Sequence, residues 1–144
     1  MAMKTALLLF VVMLTCCFAC ETSSDVKAER KGVCAPVQLT SNLNAPTGLD
    51  LFNIQSTQLS DHVLTISFAY GGGCDPNHAF ALYVDPSRRE DSKGVYREGR
   101  IVFTTQNACK RLDYKDFCFD LSTLKKEVTS GRLRIRGLEQ EITF

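Results

Sequence analysis

The sequence predicts an all-β protein. The expected form is an antiparallel β-sandwich of about seven strands, immunoglobulin-like in outline, with one short helical turn near residues 121–127 and a cleaved signal helix ahead of it. Three observations carry this. From residue 52 onward apolar side chains recur at every second position, not with a helical period. Groups of Gly, Pro, Asn, Asp and Ser interrupt the alternation at short intervals. Cys16, Cys17 and Cys20 lie in or at the edge of the leader, and the four cysteines that follow (Cys34, Cys74, Cys109 and Cys118) are an even set that suits a small secreted scaffold.

Cys34 to Gly48 is rich in Pro, Asn, Thr and Ser and reads as an irregular lead-in. Phe52 and Ile54 mark a first strand over Leu49–Gln58, and Ser60-Asp61-His62 turns the chain. Val63–Tyr70 alternates cleanly: Leu64, Ile66, Phe68 and Tyr70 share one face, Thr65 and Ser67 the other, as in a half-buried strand. The stretch Gly71-Gly72-Gly73-Cys74-Asp75-Pro76-Asn77 breaks that strand with a tight bend. A new strand starts at Ala79, with Phe80, Leu82 and Val84 on one side. Asp85 to Gly99 mixes both signs of charge and reads as a solvated loop or exposed edge. Ile101 and Phe103 resume the alternation over Arg100–Thr105, and Gln106–Cys109 turns again. Leu112–Phe119 is the next strand, with an irregularity expected near Lys115-Asp116. Asp120 or Ser122 can cap one or two helical turns over Leu121–Glu127, where Lys125 and Lys126 fall late. Leu133 and Ile135 then alternate with Arg132, Arg134 and Arg136, and Glu139-Gln140 leads into a last strand, Glu141–Phe144. An open barrel is the alternative architecture. The chain has no Trp, so the immunoglobulin analogy concerns outline only.

Three segments are expected. Residues 1–19 read as a signal peptide: Lys4, then the apolar run Ala6 to Leu14, then small residues up to Ala19. That run is too short to cross a bilayer, and no later run reaches the length of a transmembrane helix. Residues 20–32 form a polar tether or a propeptide ending in Arg30-Lys31, and residues 33–144 form the sandwich. Cys20, which follows a small residue and precedes a polar stretch, offers a lipid-anchored alternative to plain secretion.

Composition and motifs narrow the function. A formal net charge of +1 over 144 residues gives no support for nucleic-acid binding. No metal and no cofactor are expected. Cys74 and His78 lack a second close pair of ligands, and Asp113, Asp116 and Asp120 lack the spacing and glycine of a calcium loop. No nucleophile–base motif occurs, so the chain reads as non-enzymatic. Oxidising conditions favour two disulfides among Cys34, Cys74, Cys109 and Cys118, with three possible connectivities. Candidate ligand contacts are His78 and the row Arg132, Arg134, Arg136. The row would meet an acidic matrix or glycan, or else form the polar outside of an edge strand. His78 would alternatively hydrogen-bond to the glycine turn.

One ordered set of motifs goes further. It runs from Leu64-Thr-Ile-Ser-Phe-Ala-Tyr-Gly-Gly-Gly-Cys74 to His78-Ala-Phe80-Ala-Leu82, an isolated Cys109, Phe119-Asp120-Leu121-Ser122 and a closing hairpin. This resembles a group of small secreted or lipid-anchored proteins, common in bacteria and of uncharacterised function, over about residues 60–144. Cys74 and His78 stand one residue further apart here than in that group. The resemblance implies a β-sandwich with Cys74 bridged to Cys109, leaving Cys34 for Cys118, and it implies no activity. The resulting expectation is a secreted, non-enzymatic protein with a structural or surface-recognition role in the extracellular space, such as a matrix component. The alternatives are a lipid-anchored ligand-binding lipoprotein, a small extracellular hydrolase using the Gly71–His78 turn, or a processed venom or secretory product.

Overall fold

A computed structural model describes residues 33–144 apart from Gly73, Asn107, Ala108, Val128 and Thr129. The expected signal peptide, Cys20 and the Arg30-Lys31 pair lie outside the described residues. In chain order the elements are β1 (Ala35–Pro36), β2 (Gln38–Leu39), β3 (Phe52–Ser60), β4 (Val63–Gly71), β5 (Ala79–Val84), β6 (Arg89–Asp91), β7 (Gly94–Thr104), β8 (Leu112–Asp120), α1 (Ser122–Glu127), β9 (Arg132–Ile135) and β10 (Ile142–Thr143). Among the described residues no helix is long and apolar enough to cross a membrane.

The strands form two sheets. Sheet A has the order β1-β8-β4-β3, and sheet B has the order β10-β9-β7-β5-β2 with β6 added beside β7. The alternating face of β4 buries Leu64, Ile66 and Phe68 completely and Tyr70 almost so. Opposite it, sheet B contributes Phe80, Leu82, Val84, Ile101, Phe103, Leu133 and Ile135 to the same core. Aromatic rings join the layers: Phe68 of sheet A stacks on Phe80 of sheet B with centroids 4.1 Å apart. Phe52 and Phe117 meet Phe80 at 5.5 and 4.6 Å. Such offset and edge-on pairs add to the area they bury. The all-β sandwich expected from the alternation is therefore the fold.

Three details differ from the sequence reading. First, the sheets are mixed, not antiparallel. β1 runs parallel to β8, β2 to β5, and β9 to β7. Between β7 and β9 the chain crosses into sheet A as β8 and α1, and a strand that returns after a crossover of that length can lie parallel to the one it left. Second, of the two readings of Asp85–Gly99 the exposed edge holds and the loop does not. β6 and the first half of β7 pair as a hairpin, Asp91 opposite Gly94, and Arg97 within it is only 2% exposed. Third, β8 has no irregularity at Lys115-Asp116; its register on β4 is continuous from Val63↔Asp120 to Gly71↔Leu112. The register shift is in β3 instead, between Ile54 and Ser56.

The β3–β4 hairpin closes over Asp61, whose φ of 57° is left-handed, a conformation that Asp tolerates better than most residues. The turn is held from α1: the Leu121 N–H donates to the His62 carbonyl at 2.7 Å, and Lys125 Nζ to the Asp61 carbonyl at 2.6 Å. α1 begins as expected, with the Asp120 carboxylate accepting from the Ser122 N–H at 2.8 Å. That bond holds the Asp120 carboxyl below the usual carboxylate range.

Two disulfides tie the sandwich at opposite ends of β8. Cys34 is bonded to Cys118, fixing the lead-in beside the C-terminal end of β8. Cys74 is bonded to Cys109, joining the β4–β5 loop to the β7–β8 loop. Of the three connectivities this is the one that the motif resemblance implies.

Candidate functional site

The glycine-rich turn is organised from its floor. Asp75 is 2% exposed. One carboxylate oxygen accepts from the Asn77 N–H at 2.8 Å, and the other from Thr105 Oγ1 at 2.9 Å and the Gln106 N–H at 2.5 Å. A buried charge is tolerated only when donors surround it in this way. The Asp75 carbonyl in turn accepts from His78 Nδ1 at 2.6 Å. With Nδ1 donating, Nε2 is the acceptor for the Tyr70 hydroxyl at 2.9 Å. Burial raises the Tyr70 pKa, and the nearby Asp113 carboxylate adds to the rise. His78 therefore bonds to the turn, with both ring nitrogens engaged inside the fold. It braces the loop between the Asp75 carbonyl on one side and the Tyr70 hydroxyl on the other.

The arginine row is not an open cationic stripe, and it is not on an edge strand: β9 lies between β10 and β7. Arg132 donates to Glu141 at 2.7 Å, to the Gly94 carbonyl at 2.7 Å, and to Asp91. Arg134 bonds to Glu141 and Asp91 as well, and its guanidinium lies 3.8 Å from the Tyr96 ring centroid. Two cations and two carboxylates thus neutralise each other over one aromatic ring. The guanidiniums hold both carboxyls low: Asp91 falls to about 2, chiefly through Arg132, and Glu141 falls chiefly through Arg134. Arg136 sits beyond β9 and donates to Asn44 Oδ1 at 2.7 Å. Arg132 and Arg134, weighed as contacts for an acidic partner, are thus already paired with carboxylates of the fold.

The three aspartates weighed for calcium also serve separate local purposes. Asp113 pairs with Arg111 at 2.8 Å, Asp116 accepts from Ser67 Oγ at 2.6 Å, and Asp120 caps α1. Among the described residues no group of three potential metal ligands converges.

A surface that the sequence reading missed lies at the end of sheet A next to the Cys74–Cys109 bridge. Gly71 pairs with Leu112 across β4 and β8. A side chain added at Gly71 would meet Leu51 at 3.9 Å and the Cys109 carbonyl at 4.0 Å. Because glycine leaves that space empty, a recess of about 440 Å³ opens between Leu51, Cys109, Lys110, Arg111 and Leu112. Leu51 is 44% exposed, Leu112 56%, and Tyr114, next on the same face of β8, 70%. The signal was present in the alternation. The outward face of a sandwich strand should be polar, yet at residues 112 and 114 it carries Leu and Tyr directly after Lys110-Arg111.

No protein-family model and no curated protein sequence matches the chain. Among solved structures it is similar to the crystal structure of a protein of unknown function, DUF1344, from Bacteroides vulgatus. Sequence identity is 17% and the TM-score 0.48, over 76% of this chain and 56% of that one. The chain thus spans little more than half the length of that protein.

Proposed function

We propose that the chain is a secreted, non-enzymatic protein that works by surface recognition in the extracellular space, as a component of a matrix. Its contact surface is the corner around Gly71. The observation that carries this reading is the coincidence around one recess of two exposed apolar side chains, Leu51 and Leu112, with Lys110 and with Arg111, which also pairs with Asp113; exposed Tyr114 lies next on the same face of β8. Clustered exposed apolar groups rimmed by charge mark interaction sites more often than scattered ones do. A partner that combines acidic groups with an apolar or ring surface, such as a sulfated glycan or an acidic matrix polymer, complements it. Two disulfides support a compartment that is oxidising.

Retention on an immobilised sulfated polysaccharide, measured across a salt gradient, tests the proposal. Lys110→Ala should weaken binding by about fivefold, roughly 1 kcal/mol, and flatten its salt dependence, and Arg111→Ala should do so by less because the Arg111 guanidinium also pairs with Asp113. Lys126→Ala, exposed on α1 at the far end of β8, is the control and should change nothing. Equal retention of all variants would remove the corner from the account. The hydrolase alternative separates at His78. Under the recognition reading His78→Gln lowers stability but leaves binding per folded molecule unchanged.

A further inference from the structure

Apart from the three-residue β6 beside β7, the two sheets end in four edges: β1 and β3 for sheet A, β10 and β2 for sheet B. Strands β1, β2 and β10 are each two residues long and offer almost no free ladder. β3 is different. It runs for nine residues, Phe-Asn-Ile-Gln-Ser-Thr-Gln-Leu-Ser, with neither a charge nor a proline, and among the described residues no strand pairs with its outer side. Charges, prolines and bulges are the usual means by which an edge avoids pairing; β3 has no charge or proline, and its one irregularity lies at mid-strand after Ile54.

The core is also incompletely closed along this edge. Phe52, Ile54 and Leu59 pack against the core yet are only partly buried. Beside them a cleft of about 330 Å³ opens between β3 and sheet B, lined by Phe52, Ile54 and Ile101 and bordered by Arg100 and Arg136.

We infer that β3 pairs antiparallel with β3 of a second copy of this chain about a two-fold axis, joining two copies of sheet A into one continuous sheet. The commitment to a second copy rests on the pattern of β3 itself. The register shift after Ile54 changes the phase, so Phe52, Ile54, Thr57 and Leu59 lie opposite the core residues Tyr70, Phe68, Ile66 and Leu64 of β4. When β3 is laid antiparallel on itself, Phe52 faces Leu59, Ile54 faces Thr57 and Asn53 faces Gln58. Every core-facing position meets a core-facing position, and the two irregularities fall together at Gln55 and Ser56. An isologous contact needs this self-complementarity. A charged peptide would instead set its charges against an uncharged ladder. The same register brings Asp50 across from Asp61 of the second copy, where His62 and Lys125, 2.9 and 3.7 Å from the Asp61 carboxylate, offset the repulsion.

Sedimentation of the full chain, secreted with its disulfides intact, tests the pairing over a range of concentration. A concentration-dependent dimer is expected. Ser56 is exposed, and Ser56→Lys brings two like charges together at the axis, so it should raise the dimer dissociation constant at least about tenfold while leaving the melting temperature unchanged at concentrations where the parent is monomeric. Asn53→Cys/Gln58→Cys should form a covalent dimer under oxidising conditions, because those positions are apart on one strand and opposite each other between copies. A monomer at every concentration overturns the inference, as does a dimer that ignores Ser56→Lys and does not cross-link at 53 and 58.

Discussion

Two glycines show how much a single atom decides in this molecule. Gly48 lies on the surface, yet a Cβ there would fall 2.4 Å from Val102 Cγ1 and 2.7 Å from the Phe103 carbonyl oxygen, because the chain presses against β7 to let the Leu49 N–H reach that oxygen. Gly48→Ala should therefore cost about 1–3 kcal/mol, the usual toll of overpacking, measured by denaturant unfolding. At Gly71 the added atom meets nothing closer than 3.9 Å. Gly71→Val should leave stability within about 0.5 kcal/mol of the parent while it fills the recess and reduces retention on the sulfated polysaccharide. Weak binding by the first variant and full binding by the second would reverse the assignment of the site. Asp75 is the opposite case, a residue whose charge is fully used. Asp75→Ala strands the Asn77 and Gln106 amides and the Thr105 hydroxyl, so a loss of about 3 kcal/mol is expected. A drop below about 1 kcal/mol in urea unfolding would show that water replaces the carboxylate.

At the level of elements, the β6–β7 hairpin and the β9–β10 hairpin are joined by the charges of Arg132, Arg134, Asp91 and Glu141. Asp91 titrates near 2 in the folded chain and near 4 when unfolded. Its pKa is depressed by folding, so its contribution is complete above about pH 4 and disappears as the pH falls toward 2, with Glu141 acting in the same direction. Melting temperature followed from neutral pH down to pH 2 should fall more steeply for the parent than for Asp91→Asn/Glu141→Gln; parallel curves would show that the cluster contributes nothing. The same pair of hairpins marks the limit of legibility. β4, β5 and α1 were readable because each carries a local signal that agrees with its environment: Leu64-x-Ile-x-Phe-x-Tyr70 for one buried face, Phe80-x-Leu-x-Val84 for another, and an Asp and two lysines in order for the helix. β6 and the start of β7 carry charges of both signs, and the apolar surface that normally betrays a strand is replaced there by ion pairs from Asp91 to Arg132 and Arg134 of β9. Those partners lie some forty residues away in sequence, as in Arg132 to Asp91 with a separation of 41, so no local pattern announces them. The arginine row was read as a stripe for the same reason: its period was visible and its carboxylates were not. The recess was missed because it is formed by an absence, the missing side chain of Gly71, between residues from three parts of the chain.

For the whole molecule, the sandwich depends on two covalent ties that close loops of different length, 35 residues for Cys74–Cys109 and 84 for Cys34–Cys118. Chain-entropy reasoning makes their contributions nearly equal, roughly 4 kcal/mol each, because the dependence on loop length is logarithmic. Replacing either pair by serine should show this in non-reducing denaturant unfolding, and a threefold difference between the two would mean that native-state strain governs instead. The ties serve different places: one secures the lead-in that adds β1 to the edge of sheet A and β2 to the edge of sheet B, the other the loop whose Asp75 and His78 lie beside the exposed corner. Both require maturation where thiols oxidise, and that requirement links the fold to the proposed extracellular role. The direct measurement is a peptide map of the secreted protein by mass spectrometry without reduction. The account predicts a product lacking its leader, with Cys34, Cys74, Cys109 and Cys118 all oxidised in two linked pairs, one holding Cys34 with Cys118 and the other Cys74 with Cys109. Four free thiols, or a bridge between Cys34 and Cys109, would contradict it.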